Sequence, residues 1–306
     1  MQLVFGPPGT GKTTFLLDTV DQLLTSGMAP ERIAFCSFSR QSVAEASARA
    51  CAKFNLHPDA LPWFRTIHSC AFHLLNLTRG DVIQPEQLAE WARRTSLPIG
   101  TTHVGDPFAA ALGDRCLQLY HLARARGVSL REEWHRARLP DTPWATVAFA
   151  AETYDTYKQT HGLVDFSDML ERAGGTLPVD ALIVDESQDS SRAQWSFLRR
   201  VSGAVPRIVL AGDDDQAIYG WSGADATQLS RLEGERIVLP QSYRLPRRIK
   251  ALAEQVVRRI TVREPKTWAA RDEEGAIDVI AHPERLPLRD GATWLLLART
   301  NGQLSA

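Results

Sequence analysis

Cysteine is scarce: four residues in 306, at positions 36, 51, 70 and 116, none in CxxC spacing. That spread excludes a CxxC metal-ligand pair and a disulfide framework. The thiols read as isolated, small, buried residues in a reducing compartment. An excess of one charge is also missing. Lys and Arg number 35 against 36 Asp and Glu, a net charge of −1. No global basic field surrounds the chain, so any nucleic-acid binding must be local. Long apolar runs are absent; a stretch such as 294–298 is only strand-length, which excludes a membrane span. The first residues, MQLVFGPPGT, carry neither a basic n-region nor an apolar h-region. A secretory signal is not expected, and the expected location is cytoplasmic. No repeat or low-complexity tract stands out.

What is present is ordinary for a soluble globular protein: 44% hydrophobic and 23% charged residues. At roughly 150 residues per domain the length suggests about two domains. Residues 2–5 form a short apolar strand, followed by a Gly-rich turn and helical spacing over 12–25. A second strand at 32–37 and an Ala-rich helix at 41–54 follow. Strand and helix alternating in this way predict an α/β fold with a parallel sheet. From 80 to 159 the apolar spacing is helical, divided by turn signals at 98–100, 105–107 and 140–143. Strands return at 181–184, 207–211 and 236–239, the first two ending in acidic residues, where such sheets place ligands. A helix at 247–260 and two late strands, 276–280 and 293–297, read as the opening of a second α/β domain.

GPPGTGKT at 6–13 matches the P-loop pattern GxxxxGK[ST] and lies between a strand and a helix. Its glycines let backbone N–H groups converge on a phosphate at a helix N-terminus. Lys12 is predicted to reach the β- and γ-phosphates of a nucleotide, and Thr13 to hold Mg²⁺. LIVDE at 182–186 is a strand ending in an acidic pair. Asp185 is predicted to bind Mg²⁺, and Glu186 to polarise the attacking water. In GDDDQ at 212–216, three successive carboxylates need compensation from a nucleotide-bound metal, a cation or a helix N-terminus. Gln216 suits sensing of a γ-phosphate or a water.

Together these segments resemble superfamily 1A DNA helicases of the UvrD/Rep type, in order and over almost the whole chain. GPPGTGKT is similar to that family's motif I, SFSRQ at 37–41 to motif Ia, and RTIHS at 65–69 to motif Ib. LVDFSDML at 163–170 is similar to its LVDFxDLL segment, VDESQD at 184–189 to motif II, GDDDQAIYGWSGA at 212–224 to motif III, and QSYR at 241–244 to motif IV. The resemblance implies a RecA-like P-loop domain, 1A, at 1–79 and 160–237. It is interrupted by a helical domain, 1B, at 80–159, and a second RecA-like domain, 2A, starts near 238.

The activity so implied is ATP- and Mg²⁺-dependent 3′-to-5′ movement on single-stranded DNA, with duplex unwinding. The ATP-binding residues would be Gly6, Pro7, Pro8, Gly9, Thr10, Gly11, Lys12, Thr13 and Thr14, with Gln188, Gln216, Tyr243 and Arg244. Gln188 and Gln216 would report the γ-phosphate, Arg244 would act as an arginine finger, and Tyr243 would stack on adenine. The implied catalytic set is Lys12, Asp185, Glu186, Gln216 and Arg244. Phe38 and Trp221, with Tyr219 close by, would stack on DNA bases, and Ser37, Thr66 and His68 would contact phosphates. The implied partners are single-stranded DNA, single/double-strand junctions and repair or replication proteins. No membrane is involved, and a monomer is expected in isolation.

Several features depart from the family pattern. Only five residues precede Gly6, leaving no room for the adenine-reading Q motif, and Thr14 stands where an arginine often packs on the base. Ser222 occupies the arginine position of motif III, and a hydroxyl does not replace a guanidinium fork. Motifs V and VI lie beyond Ala306, so a fragment of a longer motor is expected, one that binds nucleotide better than it unwinds DNA. Two other readings share these motifs: a DNA-dependent ATPase or repair-nuclease motor without independent unwinding, and a nucleotide- and DNA-binding fragment without turnover. Arg124, Arg126, Arg131, Arg136 and Arg138 read either as a duplex-facing patch or as a solvated helix surface.

Overall fold

The computed structural model describes residues 1–100, 111–139, 141–281, 291 and 293–298. Its centre is a six-stranded sheet with every pairing parallel: β1 (Gln2–Phe5), β2 (Ile33–Ser37), β3 (Phe64–Thr66), β4 (Ala181–Asp185), β5 (Arg207–Gly212) and β6 (Glu235–Val238), in the order β3-β2-β4-β5-β1-β6. The helices are α1 (Lys12–Thr25), α2 (Arg40–Phe54), α3 (Ile67–Leu74), α4 (Pro85–Thr95), α5 (Leu112–Arg126), α6 (Leu130–Ala137), α7 (Trp144–Thr160), α8 (Phe166–Arg172), α9 (Arg192–Val201), α10 (Thr227–Ser230) and α11 (Arg247–Val257).

Strand periodicity explains the layering. Val4, Ile33, Phe35 and Ile183 pack with Leu16, Leu17, Val20 and Ala46 of α1 and α2 on one face. Their neighbours Leu3, Phe5, Ala34, Cys36, Leu182 and Val184 face the other side, against α3, α8 and α9. Both faces are covered, so the strands read as nearly continuous apolar runs. The fold is the expected RecA-like α/β class.

The described part of 80–159 is helical, with its own core around Trp91, Tyr120, Val147 and Tyr154. Charge, not apolar packing alone, joins it to the sheet domain. Lys158 at the end of α7 is 1% exposed and bonds Asp165 at 2.5 Å and Asp168 at 2.7 Å. Asp165 and Asp168 form the capping box of α8, and Arg124 of α5 reaches the same two carboxylates. A buried amine so paired is costly to break.

Some expectations are corrected. Residues 276–280 and 293–297 are not strands: Val279 is 96% exposed, and Leu295 and Leu297 are more than four-fifths exposed. A short apolar run forms a strand only where a partner edge and a burying face exist. The helix at 247 ends at Val257. β3 was not predicted; only Phe64 of its three residues is buried, so it carries no periodicity. The thiols are not all isolated, since Cys36 and Cys70 bring their Sγ atoms within 3.4 Å across the β2–α3 interface. The predicted turn at 105–107, Pro140 and residues 299–306 lie outside the described residues. No helix among the described residues is long and apolar enough to cross a membrane.

Candidate functional site

The P-loop leaves β1 at Phe5 and enters α1 at Lys12. Gly9 (φ +71°) and Gly11 (φ +79°) take left-handed backbone that a side chain would strain. A Cβ on Gly9 would also lie 2.3 Å from Cβ of Arg244. β4 runs beside this loop and ends at Asp185, which is 1% exposed. Thr13 Oγ1 donates to Asp185 Oδ2 at 3.3 Å, and Lys12 Nζ pairs with Glu186 Oε2 at 3.0 Å. Glu186 itself sits at φ +50°, turning the chain sharply off the strand.

The electrostatics of this corner are unbalanced. Burial, reinforced by Glu186, pushes the Asp185 carboxyl up to about 6. Burial and Glu186 likewise push Asp189 up to about 6. Lys12 opposes both shifts without cancelling them. Asp189 Oδ1 is buried with no hydrogen-bond partner. Gln188 connects this corner to the next strand. Its Nε2 donates to Glu186 at 2.8 Å and to Asp189 at 3.2 Å, and its Oε1 accepts Asp213 N–H at 3.0 Å.

At the end of β5 the three carboxylates have found cations. Lys266 Nζ, wholly buried, lies 2.7 Å from Asp213, 2.5 Å from Asp214 and 2.9 Å from Asp215. Arg263 adds two bonds to Asp215. Burial works against ionisation of Asp215, but Arg263 and Lys266 hold its carboxyl below the usual range. Neither Arg263 nor Lys266 was among the predicted site residues, and no motif signal marks them. Of the compensators foreseen for this triplet, a protein cation is the one observed. Gln216 is exposed and donates to Asp213 Oδ2 at 2.5 Å.

The 241–244 segment docks on the P-loop. Ser242 Oγ donates to Pro8 O at 2.7 Å, and Tyr243 N–H to Gly9 O at 2.9 Å. Tyr243 and Arg244 are thereby brought to the loop, both exposed. Pro7, Pro8, Gln216, Lys266 and the apolar side of α11 line a cavity of about 570 Å³. Thr10 closes the loop internally, its hydroxyl donating to Pro7 O. A Cβ on Gly6 would press on the Lys12 side chain at 2.8 Å. Thr14 follows on the first turn of α1.

A second region lies beyond the C-terminal ends of β2 and β3. Phe38, 41% exposed, meets Tyr219 at 5.3 Å between ring centroids, and Tyr219 meets Trp221 at 6.3 Å. Trp221 is 70% exposed. Ser37 is fully buried beneath them, its Oγ accepting Ser39 N–H. Thr66 caps α3 by accepting Ser69 N–H at 3.3 Å. His68 stacks edge-on with exposed Phe166 at 5.5 Å, and burial lowers its pKa to about 4, so the ring is neutral at physiological pH. A cleft of about 800 Å³ runs past Arg40, Arg65, Thr66, His68, Arg79 and Phe166. The five-arginine run does not form one face: Arg124 turns inward to the α8 carboxylates, and Arg126 pairs with buried Glu133.

Among the described residues no cluster of three or more His, Cys, Asp or Glu side chains is arranged to hold a metal. Thr13 and Asp185 could offer two oxygens to a nucleotide-bound Mg²⁺, an ion that takes most of its ligands from phosphates and water.

DNA helicase II of Haemophilus influenzae is 26% identical over 304 residues, covering 89% of this chain and 40% of that protein. DNA helicase II of Escherichia coli is 23% identical over 290 residues, covering 83% and 38%. ATP-dependent DNA helicase PcrA of Bacillus subtilis is 36% identical over 96 residues, 29% of this chain and 13% of that protein. The chain thus spans about 40% of the length of the first two relatives. The UvrD/REP helicase N-terminal domain matches residues 1–236, which takes in the P-loop, the β4 carboxylates and the aromatic loop, and the chain belongs to that family.

Proposed function

We propose that this chain is the ATP-hydrolysing portion of a DNA helicase that couples Mg²⁺-ATP hydrolysis to 3′-to-5′ movement on single-stranded DNA and to duplex unwinding. The observation that carries the reading is the geometry at the end of β4, where Thr13 of the P-loop donates to buried Asp185 at 3.3 Å and Lys12 pairs with Glu186 at 3.0 Å. Two buried carboxyls are pushed up to about 6 beside a P-loop whose Thr13 already touches one of them. Thr13 and Asp185 would hold the nucleotide's Mg²⁺, which would supply charge neutralisation to the β- and γ-phosphates.

The chain's own groups then divide the work. The backbone of Gly6, Pro7, Pro8, Gly9, Thr10, Gly11, Lys12, Thr13 and Thr14 cradles the phosphates. Lys12 exchanges Glu186 for the β- and γ-phosphates, which frees Glu186 to take a proton from the attacking water. Gln188 and Gln216 read the γ-phosphate. Arg244, carried to the P-loop by the Ser242–Pro8 bond, stabilises the charge that develops on it. Tyr243 stacks on the base. On the other side, Phe38, Tyr219 and Trp221 stack on DNA bases. Thr66 and neutral His68 contact phosphates as hydrogen-bond donors, and Ser37 supports Phe38 from below. Single/double-strand junctions in DNA repair are the proposed setting.

The test is the ATPase rate of this chain with Mg²⁺, with and without single-stranded DNA, beside Lys12→Ala. DNA-stimulated turnover that disappears in Lys12→Ala is expected. Absence of nucleotide binding by the unaltered chain would overturn the assignment.

A further inference from the structure

The loop carrying Tyr219 and Trp221 is held at two ends by different parts of the molecule. On the nucleotide side, Ala224 bridges Ser191, Asp225 N–H donates to Ser190 O at 3.1 Å, and Arg192 pairs with Asp225 at 2.8 Å. These partners directly follow Gln188 and Asp189. On the other side the loop rests on α5. Gly223 (φ +99°) approaches so closely that a Cβ there would lie 2.9 Å from Cβ of Ala125. Arg126, the last residue of α5, donates through Nη2 to Gly220 O at 3.0 Å.

Arg126 is itself fixed. Its Nη1 pairs with Glu133 of α6, a carboxylate only 1% exposed, whose second oxygen takes Arg136 at 3.3 Å. A buried carboxylate with so little water near it fixes its partner's orientation. The planar fork then leaves the other nitrogen aimed at one carbonyl. Within the loop, Ser222 Oγ donates only to Tyr219 O at 2.8 Å, which tightens the turn without tying it to anything outside. Among the described residues, Arg126 supplies the side-chain hydrogen bond from the helical part to this loop.

The geometry points to Arg126 as a positioning residue: anchored by Glu133, it grips the Gly220 carbonyl and fixes the Tyr219–Trp221 platform for stacking on single-stranded DNA. It does not itself touch the strand. This inference rests on the DNA-binding reading proposed above. It adds that the helical part sets the angle of the platform, so that ordering of the aromatic rings is not left to the binding event.

The experiment measures affinity of the full chain for a fluorescein-labelled oligothymidylate over a range of salt, for the unaltered protein, R126A, R126K, W221A and the R126A/W221A double variant. Loosening the platform forfeits part of the base stacking, so R126A is expected to weaken binding about tenfold and R126K about threefold. In the W221A background, R126A should add less than about twofold, because coupled residues are not additive. The salt slope should stay unchanged, since a lost phosphate contact would lower it by about one. Melting curves identify any variant that fails to fold; R126K keeps the Glu133 pair and tests the fork if R126A unfolds. Affinity unchanged in R126A, additive losses, or a reduced salt slope would each overturn the positioning role while leaving the DNA reading intact. An unaltered chain that does not bind the oligonucleotide would overturn the DNA reading, and this inference with it.

Discussion

Two acidic clusters end adjacent strands of one sheet, and they have been settled in opposite ways. At the end of β5, Asp213, Asp214 and Asp215 surround buried Lys266, with Arg263 behind it. At the end of β4, Asp185, Glu186 and Asp189 have Lys12 nearby, and the two aspartates rise to about 6. The first cluster is compensated by two protein cations and serves as a joint between the sheet and residues that follow α11. The second is left short of positive charge. The contrast fits the proposed roles: the β5 carboxylates are held by protein cations, and the β4 carboxylates keep a deficit that a metal-bound phosphate would relieve.

The comparison can be broken in several ways. The largest effect is expected for Glu186→Gln, which keeps shape and removes the base; hydrolysis should fall by about 10²–10⁴-fold with nucleotide binding retained, measured by phosphate release. Lys266→Ala should be the strongest destabiliser, about 3–5 kcal/mol by denaturant unfolding, because buried Asp213 and Asp214, with Asp215 beside them, lose their shared cation. If Lys266→Ala melts like the unaltered chain, the β5 cluster is not a joint.

Asp185→Asn should abolish turnover and yet raise stability by about 1 kcal/mol at pH 7, since it removes a charge the fold disfavours. Asp215→Asn should do the reverse to stability, and equal signs for the two variants would erase the contrast.

Acidity gives a further test. Asp185 and Asp189 are raised in the folded state, so their cost is fully present above about pH 6 and is relieved as pH falls towards 4. Asp215 is lowered, so its contribution is present above the ordinary carboxylate pKa and lost as pH falls below it. Mg²⁺-dependent nucleotide affinity should therefore weaken below about pH 6, by at most about tenfold per pH unit for each proton taken up, while the β5 joint persists to lower pH. Calorimetric titration at pH 7.5, 6.5 and 5.5 would resolve this smallest effect.

The β4 side of this contrast was legible in the sequence, because P-loop glycines, Lys12, Thr13 and a strand ending in Asp-Glu sit at fixed local spacing. The three β5 carboxylates were visible as a problem needing a cation. Their solution was not, since Lys266 and Arg263 lie about fifty residues further along. Long apolar elements such as α1, β2 and β4 were readable for the same local reason. β3 was not, being three residues with one buried side chain. Residues 276–280 carried a strand-like pattern with no partner to make it a strand. The inward turn of Arg124 and Arg126 was hidden as well, because periodicity gives a face but not what lies opposite it.

The strand order also bears on how the chain is made. β1 is synthesised roughly two hundred residues before its neighbours β5 and β6, which begin at Arg207 and Glu235. At roughly 5–20 residues per second of synthesis, the nascent P-loop strand waits on the order of ten seconds or more for an edge to pair with. During that wait the helical part, built from contacts close in sequence, is free to fold ahead of it. The P-loop strand is thus, among the described strands, the one that waits longest for a partner, although it becomes an interior strand of the finished sheet.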